Sequence, residues 1–129
     1  MANSPIPDNI RRYVIQCVPS VPYLEALLLM RERPTVFWQA EVLGRRLYLG
    51  EQDTARLLLK LHADGLVARD PGDRTAYRFA PVSPELEDIW AELAAVYARN
   101  LIEVSTLIHT RPAGKAKILA DAFVWRKGK

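Results

Sequence analysis

Three side chains that can make paired hydrogen bonds to nucleobases recur four residues apart: Gln52, Arg56 and Lys60. An α-helix advances 3.6 residues per turn, so this spacing stacks them along one side of a helix. Glutamine can pair in bidentate fashion with adenine, arginine with guanine, and lysine with guanine or a phosphate oxygen. Such a row can read a major groove; it is also the composition of a plain solvated helix face. Arg45 and Arg46 stand just before it, placed either to touch backbone phosphates or to favour the C-terminal end of a helix dipole. Arg69 and Arg74 flank Asp70-Pro71-Gly72-Asp73. Arg74 is placed either to probe a minor groove or a phosphate, or to pair with Asp70 or Asp73 and steady the turn.

Other residues pull against contact with a polyanion. Glu51 and Asp53 open the helix that carries the row, where they complement the helix dipole but repel phosphate. With Asp64, the acids outnumber Arg56 and Lys60 and leave that helix at net −1. Leu59 lies on the flank beside the row and suits contact with another protein or with the chain's own tail. Two partners are therefore compatible with this stretch: double-stranded DNA through the row and Arg74, or a protein through the Leu59 face.

Reactive groups that converge are scarce. His62 and His109 are far apart in sequence, and no H-E-x-x-H, paired-cysteine, phosphate-loop or G-x-S-x-G pattern occurs. The expectation is no catalysis, no cofactor and no metal. The single Cys17 excludes an internal disulfide and a cysteine zinc site, and its apolar surroundings predict a buried thiol, which suits the reducing cytoplasm. No secretory signal pattern is visible, and apolar runs break well before the roughly 18 residues a membrane span requires. A cytoplasmic protein without membrane contact is expected.

The net charge of +3 is unevenly spread. Residues 1–83 hold eleven Lys/Arg against nine Asp/Glu, residues 84–110 one against five, and residues 111–129 six against one. The basic tail can track a phosphate backbone or simply solvate a chain end.

Local signals place these residues on elements. Asp8 is positioned to cap a helix over 8–18 with Ile10, Tyr13, Val14 and Cys17 at helical spacing. Ser20 caps the next, an apolar helix through Leu24, Leu27, Leu28 and Met30, with Pro22 tolerated in its first turn. A short strand or staple over 36–38 precedes a helix over 39–47. Leu49-Gly50 makes the turn to a helix over 51–64, and Gly65 stands where a left-handed conformation is easiest for glycine. Residues 66–69 and 75–80 read as strands joined by the Asp70–Asp73 turn. Ser83 caps a long helix over 84–110, before Pro112, a shorter segment over 115–123 and the tail.

Helix, turn, helix and then hairpin is the order of a winged helix. Leu58, Leu61, Gly65, Leu66, Val67 and Arg69 form an L-x-x-L-x-x-x-G-L-V-x-R run, and Arg69-Asp70-Pro71-Gly72-Asp73-Arg74 has the mixed acidic-basic character of a wing tip. In these features residues 35–85 resemble the MarR group of bacterial transcriptional regulators. The resemblance implies a winged helix-turn-helix fold, α+β but mainly α, with N-terminal helices and a long C-terminal pairing helix. It further implies duplex DNA as ligand and Arg74 as a wing arginine that works on it. Domains are expected at 1–83, the winged helix with its N-terminal helices, and at 84–129, the pairing helix with short helix and tail.

Along the long helix Trp90, Leu93, Tyr97, Val104 and Leu107 follow a 4,3 spacing, with Asn100 in the intervening slot. Either a second subunit covers this broad face, with Asn100 setting register, or the leucine-rich second helix does. A homodimer suits half-sites about one helical turn apart on DNA.

Overall fold

The computed structural model describes residues 5–110. The chain is α+β and mainly helical, with a small three-stranded antiparallel sheet. In order, it runs α1 (Asp8–Cys17), α2 (Val21–Glu32), β1 (Trp38–Gln39), α3 (Ala40–Leu47), α4 (Glu51–Ala63), β2 (Val67–Asp70), β3 (Asp73–Phe79), α5 (Pro84–Arg99) and α6 (Leu101–Thr110). The expected segment over 115–123 and the basic tail lie outside the described residues. No single helix among those described is long and apolar enough to cross a membrane.

Two compact units divide the chain, residues 1–19 with 96–129, and residues 20–95. In the first, α1 packs on α6, burying Ile10 and Val14 from one and Val104, Leu107 and Ile108 from the other. The divisions between these units fall after Pro19 and within α5.

The second unit carries the chemistry-bearing residues. Ser20 Oγ accepts from the Tyr23 amide at 3.2 Å and starts α2, whose Tyr23, Leu24, Ala26, Leu27 and Met30 are buried. Against α2 pack α3, α4 and β3. From α4 the core receives Thr54, Leu58 and Leu61, spaced to share one side of the helix. Beyond it Gly65 takes φ +79° and returns the chain into β2. The strands are ordered β1-β3-β2, with Trp38 opposite Tyr77 and Val67 opposite Phe79. Ser83 Oγ accepts from the Leu86 amide at 3.2 Å and starts α5.

Two expectations are corrected. The long helix over 84–110 is broken at Asn100, whose side-chain Nδ2 donates to the Val96 carbonyl at 3.2 Å while its own carbonyl accepts from Val104. An asparagine amide that competes for a backbone carbonyl in this way favours helix ends over helix interiors. The pairing face at Trp90, Leu93, Tyr97, Val104 and Leu107 is internal: none of the five is more than 9% exposed within the single chain. Asn100 sits at the junction of α5 and α6. Cys17, expected as a buried thiol, is exposed; Val14 and Val18 occupy the buried positions around it.

Candidate functional site

One side of α4 is core and the other is open. Gln52, Arg56 and Lys60 are all exposed, in the row their spacing predicts. Each cation has a carboxylate at hand. Arg56 Nη2 lies 2.5 Å from Asp53 Oδ1, and Lys60 Nζ lies 3.2 Å from Asp64 Oδ1. The side chains of Arg56 and Asp53 are 69% and 64% exposed, a setting in which such pairs contribute about 0–1 kcal/mol. Asp64 also accepts from the Tyr23 hydroxyl at 2.5 Å, which ties the end of α4 to α2. The row is thus exposed but locally neutralised, and only weakly held in that state.

The hairpin disposes of its charges differently. Asp70 Oδ1 accepts from the Gly72 amide at 2.9 Å. Asp73 accepts from the Thr75 hydroxyl at 2.6 Å, the Thr75 amide at 3.0 Å and Gln39 Nε2 at 2.7 Å. These donors, the Thr75 hydroxyl foremost, hold the Asp73 carboxyl below its ordinary pKa. Both acids are spent on turn geometry, and exposed Arg74 makes no ion pair among the described residues. Of its two expected roles, steadying the turn by pairing is not used.

The other predicted arginines are engaged to differing degrees. Arg69 Nε donates to the Tyr77 hydroxyl at 3.1 Å, and its guanidinium lies 5.7 Å from the Tyr77 ring centre, so it lies against the sheet. His62 also meets the Tyr77 ring, at 5.7 Å between ring centres, a packing role. Arg46 stacks over Trp38 at 5.9 Å, and Arg45 stands 4.0 Å from Glu41, a loose and exposed pair. Neither therefore joins the α4 row in a single cluster.

A cleft of about 480 Å³ opens between α4 and the hairpin, lined by buried Leu58 and Tyr77 and by exposed Ala55. Leu59, half exposed, forms part of its lining together with Arg69 and Arg74; Glu41 and Glu51 border it as well. Two features of this region escaped the sequence reading. The Asp73 cluster was legible in principle, because an aspartate two residues before a threonine is turn chemistry, but the Gln39 donor comes from 34 positions away. Tyr48, the residue immediately after α3, is 95% exposed, and its residue type gives no signal of that position. Among the described residues no group of histidine, cysteine, aspartate and glutamate is arranged to hold a metal ion. No protein-family model, curated protein or solved structure matches the chain.

Proposed function

We propose that this chain is a winged helix-turn-helix regulator of transcription, resembling the MarR group, that binds double-stranded DNA in the cytoplasm as a homodimer. In this reading α3 and α4 are the helix-turn-helix, β2 and β3 the wing, and α4 the recognition helix. One observation carries it: Gln52, Arg56 and Lys60 stand exposed in line on α4, while the hairpin leaves Arg74 unpaired beside the same helix. On a duplex, Gln52 and Arg56 face base edges in the major groove and Lys60 and Arg74 meet phosphates, with Arg74 also able to enter the minor groove. Phosphate oxygens replace Asp53 and Asp64 as partners for Arg56 and Lys60, an exchange that exposed pairs permit at little cost. Arg45 and Arg46 add positive charge at the end of α3. Two copies address two half-sites, and Leu101 and Ile102 at the start of α6, 49% and 69% exposed, are apolar area that pairing covers.

The test is a selection from random-sequence duplexes, followed by affinity measured against salt. Specific binding that weakens steeply with salt is the expected result; no duplex retained, or salt-insensitive binding, rules the reading out.

A second reading has its own observation, the half-exposed Leu59 in a cleft lined also by Leu58 and Tyr77. There the fold is a module for protein partners and α4 binds no DNA. A partner recovered by pull-down that survives Arg56→Glu but is lost with Leu59→Asp supports this reading over the first.

A further inference from the structure

The turn between α3 and α4 contains the one non-glycine residue of positive φ among those described, Tyr48 at φ 58° and ψ 42°. A left-handed conformation sets Cβ against the backbone, so chains place glycine or asparagine there, and an aromatic residue is an outlier. The surrounding backbone leaves no room to relax. The Gly44 carbonyl accepts from the amides of both Tyr48 and Leu49, the latter at 2.9 Å. Gly44 itself is so closely approached that a Cβ on it would lie 2.7 Å from the Leu49 carbonyl oxygen and 2.8 Å from Thr54 Oγ1. Thr54 is buried and donates to the Gly50 carbonyl at 2.8 Å, closing the turn from the α4 side.

The side chain gives the fold nothing in return. At 95% exposure Tyr48 packs against almost nothing, and it is the most exposed large apolar residue of those described. Strain that persists without a packing benefit marks positions held for function. Whatever Tyr48 does, its partner lies outside the described chain.

Chemistry and position narrow that partner. The phenol combines one hydroxyl donor with a stiff ring, and Tyr48 stands two residues after the basic Arg45-Arg46 pair and three before the start of the helix that carries Gln52, Arg56 and Lys60. We infer that Tyr48 is an anchor for the phosphate backbone of duplex DNA, its hydroxyl donating to a phosphate oxygen while Arg45 and Arg46 supply the charge. The inference rests on the proposed DNA reading. The strained turn holds the ring away from the body before the duplex arrives, which lowers the ordering cost of the contact.

The experiment measures melting temperature and duplex affinity for the full chain and for Tyr48→Gly, Tyr48→Asn and Tyr48→Phe, on duplexes selected with the wild type. Glycine and asparagine relieve the strain and raise Tm by about 2 to 5 °C. The same two variants weaken binding by about five- to tenfold, alike on specific and unrelated duplexes, because phosphate contacts carry no sequence information. Phenylalanine keeps the wild-type Tm and loses affinity as asparagine does, since the hydroxyl makes the contact. Wild-type affinity in the glycine and asparagine variants overturns the Tyr48 role alone. A lower Tm in both overturns the premise that the side chain is idle in the fold, and a loss confined to one sequence replaces phosphate anchoring with base reading. A wild type that binds no duplex overturns the DNA reading and this inference together.

Discussion

Helix α4 and the hairpin that follows it are built from similar charged residues, yet leave their arginines in opposite states. On α4, Arg56 finds a carboxylate three positions away within the helix, and Lys60 finds one four positions away at its C-cap. In the hairpin, Asp70 and Asp73 precede Arg74 as closely in sequence, but both are consumed by turn amides, the Thr75 hydroxyl and Gln39, so Arg74 stays unpaired among the described residues. A helix brings side chains at i+3 and i+4 together on its surface and leaves its own backbone groups satisfied. A tight turn has open amides, and these compete for every nearby carboxylate. Charge counting alone misses this difference, because availability depends on what else the local backbone demands.

The difference holds only while α4 is firmly seated, and the closest approach in that seat is Gly44 against the turn and Thr54. Gly44→Ala drives a methyl into the Leu49 carbonyl oxygen and should destabilise the protein by about 2–4 kcal/mol, read as a lowered midpoint in urea unfolding. An unchanged midpoint would show that α3 can move off α4, and the fixed geometry of the row would go with it.

Next in size are the two arginines compared directly on a selected duplex. Arg56→Ala should cost about 1–3 kcal/mol at the specific site and much less elsewhere, whereas Lys60→Ala should chiefly flatten the salt dependence. Arg74→Ala should lower affinity for specific and unrelated duplexes alike if it meets phosphate, and should discriminate A·T from G·C sites if it enters the minor groove. Equal, sequence-independent losses at Arg56 and Arg74 would erase the distinction between reader and anchor.

A smaller effect follows from the helix pairing itself. Asp53→Asn releases Arg56 and removes a carboxylate from the phosphate-facing end of α4, so duplex affinity should rise by about two- to fivefold at low salt. A decrease would mean that Asp53 makes a favourable contact of its own, as it would in accepting from a cytosine amino group.

Much of this architecture is visible in local sequence, for a physical reason. Ser20, Ser83 and Gly65 act within three or four residues of themselves, by capping or by adopting φ +79°, and their effects follow from residue type. The order of α3, α4 and the hairpin, and the exposed row at Gln52, Arg56 and Lys60, follow from periodicity in the same way. Covering an apolar stripe is a non-local matter. The spacing of Trp90, Leu93, Tyr97, Val104 and Leu107 announces a buried face but not that the same chain buries it. Asn100 shows the limit within a helix, since a polar residue in an apolar stripe marks a register position or a break according to where its amide turns. The state of Arg56 and Arg74 was ambiguous for a related reason: each had acids nearby in sequence, and only the geometry decides which acids are already taken. At Tyr48 residue type pointed the wrong way, because nothing about tyrosine signals a left-handed turn.

The smallest effect concerns the carboxylate that keeps Arg74 unpaired. Donors from Thr75 and Gln39 lower the Asp73 pKa, so the folded hairpin favours the ionised form more than an unfolded chain does. A depressed pKa contributes stability that is present above the ordinary carboxylate range and is lost as pH falls through the folded value. In an NMR titration the Asp73 carboxyl should therefore titrate below the ordinary carboxylate range, with the Thr75 amide shift following the same curve. Gln39→Ala should move that titration part of the way back and, by freeing one Asp73 oxygen to pair with Arg74, weaken duplex binding by less than about threefold. If the Gln39 variant leaves both the titration and the affinity unchanged, then the Thr75 donors alone occupy Asp73. The hairpin's unpaired arginine would then depend on local turn chemistry only, as the helix pairs do, and the contrast between the two regions would reduce to the difference between a turn and a helix.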